Sequence, residues 1–407
     1  MRNVSIKQTQ LDWLDWEFGV FFHFGIRTFN EGHRDWDMQE MKLASFNPSQ
    51  LSCRQWIETI QKAGARYAVL VCKHHDGFAN WPSQYTDYSV AGTPWKDGKG
   101  DVVREYVDAC RAFGIKVGLY YSPAEFGSQD KNAQEYDDYF INQITELLTG
   151  YGRIDYLWFD GNGSKDHKYD AVRITSEIRR LQPEILLFNM WDADTRWCGN
   201  EAGFAHAPNP YIVNASDVHT YLDAPIDPVT PRFLPVECDF RMRLGNWFYS
   251  DHDEDTVKSV QELMGIYDYS VGRGANFLIN IGPNRDGLLP EKDAARLIEF
   301  GDALRSRFAN PVPATFAQEE GGYTLQWDEP VLIDTIVLQE TLSAQQATQA
   351  FHIECFPYMH GDPIVVHYGK TIGHKYICRI PPFYTVKVRI VAEAGVMDLK
   401  SAQVFPV

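Results

Sequence analysis

Asp101-Val102-Val103-Arg104-Glu105-Tyr106-Val107-Asp108-Ala109-Cys110-Arg111-Ala112-Phe113-Gly114-Ile115-Lys116-Val117-Gly118-Leu119-Tyr120-Tyr121 holds one whole helix–strand unit. Asp101 has the side chain that caps a helix N-terminus. Val102, Val103, Tyr106, Val107, Cys110 and Phe113 then recur at helical spacing, which predicts one buried stripe. Gly114 suits the left-handed position just past a helix end. The run from Lys116 to Tyr121 reads as a buried strand of a parallel sheet.

Working outward, further strand-length apolar runs lie at 19–25, 67–73, 155–160, 185–189, 234–239 and 276–282, with amphipathic segments between them. Strands alternating with helices predict a parallel sheet, and seven or eight such units predict a TIM-type (β/α) barrel in the α/β class. No G-x-G-x-x-G opens a helix after the first strand, which disfavours an open doubly wound sheet. A last helix is expected over 290–308, with Pro290 at its start and Leu297, Ile298 and Leu304 on one stripe. Asn310-Pro311-Val312-Pro313 then breaks the pattern. Runs at 323–327, 331–338, 351–356, 364–368, 376–380 and 384–391 read as strands separated by turn residues. The expected organisation is a catalytic barrel over 1–312 and a C-terminal β-sandwich over 313–407.

The 407 residues carry a formal charge of −17, which repels phosphate backbones and excludes nucleic acid as a natural partner. Hydrophobic residues make up 44%, enough for a large core. The seven cysteines are scattered without a C-x-x-C pair, so neither a structural zinc site nor a disulfide framework is expected. Met1 to Lys7 lack an apolar signal core, and no run of 18 apolar residues exists. The expectation is a cytoplasmic chain, or an exported one whose signal has been removed, with no membrane partner.

In a TIM barrel the chemistry sits at the C-terminal ends of the strands. Here those ends are polar: His23-Phe24-Gly25, His74-His75-Asp76-Gly77, Tyr120-Tyr121-Ser122 and Trp158-Phe159-Asp160-Gly161. Strand alternation puts Trp158 and Asp160 on one face, and Gly161 allows close approach of a ligand. Asp160 is the leading candidate for chemistry; the competing role is a cap on the next helix. His74 and His75 would face opposite sides if the strand continued through them, which argues against one shared metal ion. Core or turn histidines are the alternative for His23, His74 and His75. Glycoside cleavage needs two carboxyls, and the candidates for the second are Glu201, in a loop-like stretch, and Glu237, in a strand-like run. A surface salt bridge is the alternative for Glu201, and a paired buried carboxylate for Glu237.

The blocks His23-Phe24-Gly25, Lys73-His74-His75-Asp76-Gly77-Phe78, Leu157-Trp158-Phe159-Asp160-Gly161 and Asn280-Ile281-Gly282-Pro283 resemble, in this order, the signatures of the α-L-fucosidases of glycoside hydrolase family 29. The resemblance runs through most of the first ~310 residues, and Val337-Leu338-Gln339-Glu340 resembles the family's β-sandwich. The block from Arg196 to Glu201, with 234–237 and Asn246-Trp247-Phe248-Tyr249, is similar to the branch that prefers α1,3/1,4 linkages. The sequence departs from that branch after the third strand, where Ser122-Pro123 leads into Ala124-Glu125-Phe126, and at Asp35, where a glutamate is usual.

The resemblance implies a retaining exo-fucosidase without metal or cofactor, acting on a fucosylated oligosaccharide or glycoconjugate. It implies Asp160 as nucleophile and Glu201 as acid/base, with Glu237 the alternative. The implied sugar pocket draws on His23, Asp35, Trp36, His74, His75, Tyr120, Trp158, Arg196, Glu237 and Trp247. Two other functions stay open on the residues: a glycosidase for another sugar such as L-galactose, and a non-catalytic glycan-binding barrel. The oligomeric state is not legible.

Overall fold

The computed structural model describes residues 4–31, 41–125, 131–161, 167–217, 226–343, 348–359 and 361–407. The expected unit at 101–121 forms as read: α3 (Val102–Phe113) is capped by Asp101, which accepts from Arg104 N, and ends at Gly114 with φ 68°. The strand after it is β3 (Lys116–Tyr121).

Eight parallel strands make one nearly closed sheet. They are β1 (Phe18–Phe22), β2 (Tyr67–Lys73), β3, β4 (Tyr156–Phe159), β5 (Leu186–Phe188), β6 (Arg196–Trp197), β9 (Val236–Arg241) and β10 (Ala275–Asn280). Their order is β5-β4-β3-β2-β1-β10-β9-β6. A parallel bridge between Phe188 and Thr195 draws the two ends together. The chain thus has the TIM-type architecture. Among the described residues, β7 (Ile212–Asn214) and β8 (Pro231–Phe233) form a small antiparallel hairpin between β6 and β9.

Alternation along the strands divides two cores. Phe21, Val69, Val71, Tyr120, Tyr156, Trp158, Phe188 and Leu278 face the barrel interior. Val20, Phe22, Leu70, Leu119, Leu157, Phe159, Leu187 and Ile279 face outward against the helices. Those helices are α2 (Cys53–Ala63), α3, α4 (Ala133–Gly150), α5 (Ala171–Leu181), α6 (Val260–Tyr269) and α7 (Glu291–Arg307), while α1 (Gln8–Leu14) precedes β1. Among the described residues no α-helix follows β5 or β6. None of the helices is long and apolar enough to cross a membrane.

Two features differ from the sequence reading. The stretch read as a loop at Arg196 opens with β6, which pairs with β9 through Arg196↔Val236 and Trp197↔Glu237. In the C-terminal part, the expected pairs of short strands are each one long strand. The sheet consists of β11 (Thr315–Glu319), β12 (Gly322–Glu340), β13 (Thr348–Pro357), β14 (Ile364–Gly369), β15 (Tyr376–Gly395) and β16 (Leu399–Pro406). β12 passes through Asp328-Glu329-Pro330 and β15 through Pro381-Pro382 as two separate register shifts, so these residues interrupt the pairing instead of reversing the chain. The antiparallel order is β11-β12-β15-β13-β14, with β16 on β12.

Candidate active site

β4 ends at Phe159, so Asp160 emerges at the C-terminal mouth of the barrel on a rigid stem. Tyr120, one strand over, donates its hydroxyl to Asp160 Oδ2 at 2.9 Å. His75 Nε2 lies 3.4 Å from the same oxygen. His75 Nδ1 is 2.6 Å from Ser122 Oγ, whose own proton goes to Ala124 O. Nδ1 is therefore the donating nitrogen, and Nε2 meets Asp160 as a donor only when the ring is charged.

Much of the remaining wall is aromatic, with His23 and His74 held neutral. His23 Nδ1 donates to Asn280 Oδ1 at 2.7 Å, because Asn280 Nδ2 is already given to the carbonyl of Trp247. Burial pushes His23 down to about 3, with the Asn280 hydrogen bond opposing, so its Nε2 stays an acceptor. His74 is stacked on Tyr120 with ring centroids 5.4 Å apart, and burial holds it well below its usual range, aided by the charge of His75. Trp158 stacks on Phe188 at 4.1 Å, and Trp247 tilts against His23 at 5.0 Å. Together with Glu201, Asp239 and Arg241 these groups enclose about 280 Å³. That lies at the small end of ligand pockets, roughly 300–1,000 Å³, and suits one sugar ring more than a chain.

A cavity at the mouth of a parallel barrel, with a strand-end carboxylate, neutral imidazoles and indole walls, is built to grip a neutral polyol. The sequence agrees: residues 2–307 match the α-L-fucosidase family. The chain belongs to that family, glycoside hydrolase family 29.

The fucosidase is 32% identical over 412 residues to α-L-fucosidase 1 of Arabidopsis thaliana, covering 91% of this chain and 80% of that one. A solved glycoside hydrolase 29 family member from an unknown rumen bacterium superposes with a TM-score of 0.90 at 31% identity, covering 99% of this chain and 77% of that one. A Ruminococcus gnavus family 29 fucosidase, solved in complex with fucose, shares the fold with a TM-score of 0.84 at 22% identity, covering 99% of this chain and 94% of that one.

The fucosidase cavity gathers Asp160, Glu201, His23, His74, His75, Tyr120, Trp158 and Trp247. Two expected residues do not line it. Arg196 gives its guanidinium to Leu234 O, Asn209 Oδ1 and Pro210 O, because β6 turns its side chain toward the 209–210 segment. Glu237 lies behind the floor, fully buried, and accepts from Tyr67 OH, Tyr156 OH and the indole of Trp158. Burial lifts it to about 7 despite those three donors. Asp35 and Trp36 lie outside the described residues.

Sequence reasoning passed over Asp239, Arg241, Trp197, Phe188 and Asn246, which also line the cavity. Asp239 could have been found, since it ends a strand-like run just as Asp160 does. It accepts from Trp197 Nε1 at 2.5 Å, and burial, reinforced by Cys198, holds its carboxyl well above the usual range. The inference that His74 and His75 face apart is corrected: β2 stops at Lys73, and past a strand end the alternation rule lapses. Donor atoms of His74, His75 and Asp160 lie within 4.8 Å of one another, the one such cluster among the described residues. These three could hold a metal ion, although one Asp160 oxygen is already engaged by Tyr120.

Proposed function

We propose that the enzyme is a retaining exo-α-L-fucosidase that removes α1,3/1,4-linked fucose from branched oligosaccharides, with Asp160 as nucleophile and Glu201 as acid/base. The observation that carries this reading is the setting of Asp160: a rigid strand end, a phenol donating to one oxygen, and a histidine beside it. The strand end and the hydroxyl of Tyr120 hold the carboxylate aimed into the cavity. Asp160 attacks the anomeric carbon while Glu201 gives its proton to the leaving oxygen, and the glycosidic bond breaks. Glu201 then takes a proton from water, the water oxygen bonds to the anomeric carbon, and Asp160 leaves. Such a mechanism calls for carboxyls roughly 5–5.5 Å apart in the liganded enzyme.

Neutral His23, with its Nε2 accepting, suits a sugar hydroxyl, while Phe21 and Trp158 offer an apolar wall for the fucose methyl. A related fucosidase is known with fucose bound, which supports the same sugar here. The catalytic unit is taken as residues 1–312 and the β-sandwich as 313–407.

The test is turnover of nitrophenyl α-L-fucoside and of a branched α1,3/1,4-fucosylated trisaccharide, with the first-formed anomer read by NMR. The α-anomer is expected first, and β-fucose first would refute retention. Asp160→Asn should lose at least about a thousandfold in kcat while keeping its melting temperature. Near-normal turnover in that variant would end the nucleophile assignment.

A further inference from the structure

His74 and His75 stand in the chain between two charges, Lys73 before them and Asp76 after them. Each charge is buried against a partner from another strand end. Arg27 Nε lies 3.1 Å from Asp76 Oδ2, with the side chains 2% and 4% exposed. Lys73 Nζ lies 2.8 Å from Glu125 Oε2, with the side chains 0% and 8% exposed. Asp76 also accepts from Phe78 N at 2.8 Å, so its end of the turn has support of its own.

Lys73 grips the segment after β3 twice. Its carbonyl accepts from Ser122 N at 2.9 Å, and its ammonium meets Glu125. The ammonium also lies 4.2 Å over the Tyr121 ring, while Tyr139 OH donates to Glu125 Oε2 at 2.9 Å. Residues 122–125 are thereby closed into a small loop on a single lysine. Within that loop Ser122 Oγ donates to Ala124 O at 2.5 Å, which leaves its lone pairs for His75 Nδ1 at 2.6 Å. The other nitrogen of that ring stands 3.4 Å from Asp160 Oδ2. A chain of contacts thus runs from the ion pair to the strand-end carboxylate.

We infer that Lys73 and Glu125 are positioning residues of the fucosidase, which fix the tautomer and pose of His75 beside Asp160. The inference rests on the reading of Asp160 as nucleophile. Burial lowers the Lys73 ammonium from its usual range, with the Glu125 carboxylate opposing. A charge held this deep is costly, and a buried pair is often no more stable than apolar residues of similar volume. What the pair supplies is direction. It fixes the 122–125 loop, the loop aims the Ser122 hydroxyl, and the hydroxyl decides which nitrogen of His75 carries the proton.

The experiment compares Lys73→Met, Glu125→Gln and their double variant with wild type on nitrophenyl α-L-fucoside. Each single variant strands one buried charge and should lose both melting temperature and activity. The loss should fall on kcat, about tenfold, with KM within about twofold of wild type. The double variant strands no charge, so its melting temperature should return close to that of wild type. Its kcat should stay about tenfold down, because the loop is no longer tethered. Nitrogen NMR of the imidazoles, with His75 assigned by the signals lost in His75→Asn, should show Nδ1 protonated in wild type. In the double variant the two His75 nitrogens should average. Recovery of kcat together with melting temperature overturns the inference, and so does an unchanged His75 tautomer. A double variant as unstable as the singles, or unfolded, also overturns it, since the pair would then serve the fold alone. Near-normal turnover by Asp160→Asn refutes the nucleophile reading itself, a result distinct from all of these.

Discussion

Two glutamates of the same chemistry end up with opposite environments. Glu237 is enclosed inside the barrel by Tyr67, Tyr156 and Trp158, and burial lifts it to about 7. Glu201 is exposed at the rim. Only the latter can follow a leaving group into solvent. Glu201→Ala should therefore keep activity on aryl fucosides with good leaving groups, and azide should rescue it by replacing the water that needs a base. Glu237→Ala should show no rescue, and its three orphaned donors should cost roughly 2–4 kcal/mol of stability by denaturant unfolding. Rescue at Glu237 alone would exchange the roles. Asp160 and the histidines were legible because each ends an apolar strand. The inward role of Glu237 was not, since a carboxyl within a strand run gives no sign of which phenols and indole surround it. Arg196 was misread for a related reason: a guanidinium reaches far, and sequence does not say in which direction.

At the scale of elements, the weakest join in the barrel is the seam between β5 and β6. β6 spans two residues, too few for any periodicity to register, which is why the sequence reading took it for loop. What holds the seam is Asp194, 1% exposed. Its carboxylate accepts from Leu187 N at 2.9 Å, from Arg179 of α5 at 2.7 Å and from Lys7 at 2.6 Å. Gln10 of α1 donates to its carbonyl at 2.7 Å. One side chain thus ties the N-terminal segment, a strand and a helix together. Asp194→Ala should lower unfolding free energy by about 3 kcal/mol, because Arg179 and the Leu187 amide lose a buried partner. Equal stability of the variant in urea titration would show that the seam is held elsewhere. The long barrel strands and α3 were readable from spacing alone. The merging of short β-sandwich strands into β12 and β15 was not, because proline and acidic residues mark a bend and a reversal alike.

Across the whole molecule, the β-sheet is docked against the barrel by apolar and charged contacts together. Val337, Ile377 and Phe405 join the barrel's outer core, and Phe405 meets Phe308 at 5.3 Å. At the opposite end of β1 from the site, Glu17 pairs with Lys375 and lies 3.7 Å from His374, both from the sheet side. Burial would raise the Glu17 carboxyl, but the neighbouring His374 ring and the Lys375 ammonium outweigh it and hold it at about 2. A carboxyl depressed from 4.5 binds fewer protons folded than unfolded. Its contribution is therefore complete above pH 4.5 and is lost as pH falls toward 2. The melting-temperature gap between wild type and Glu17→Gln should be constant from pH 5 to 7 and should close on acidification below about 4.5; a gap independent of pH would remove Glu17 from the acid response. The arc that carries no α-helix among the described residues has a different reach. His23, His74, His75, Tyr120, Trp158 and Asp160, which line the cavity, come from β1 to β4 and their ends, where a helix packs outside each strand and substitution disturbs packing. On the arc from β5 to β9 the short strands and their ends are tied down, by Asp194 at the seam and by Phe188, Trp197, Asp239 and Arg241 at the cavity, while the connections between them have more room to change in length and composition. The enzyme is free to alter which glycans it trims while keeping fixed the one sugar that it trims from them.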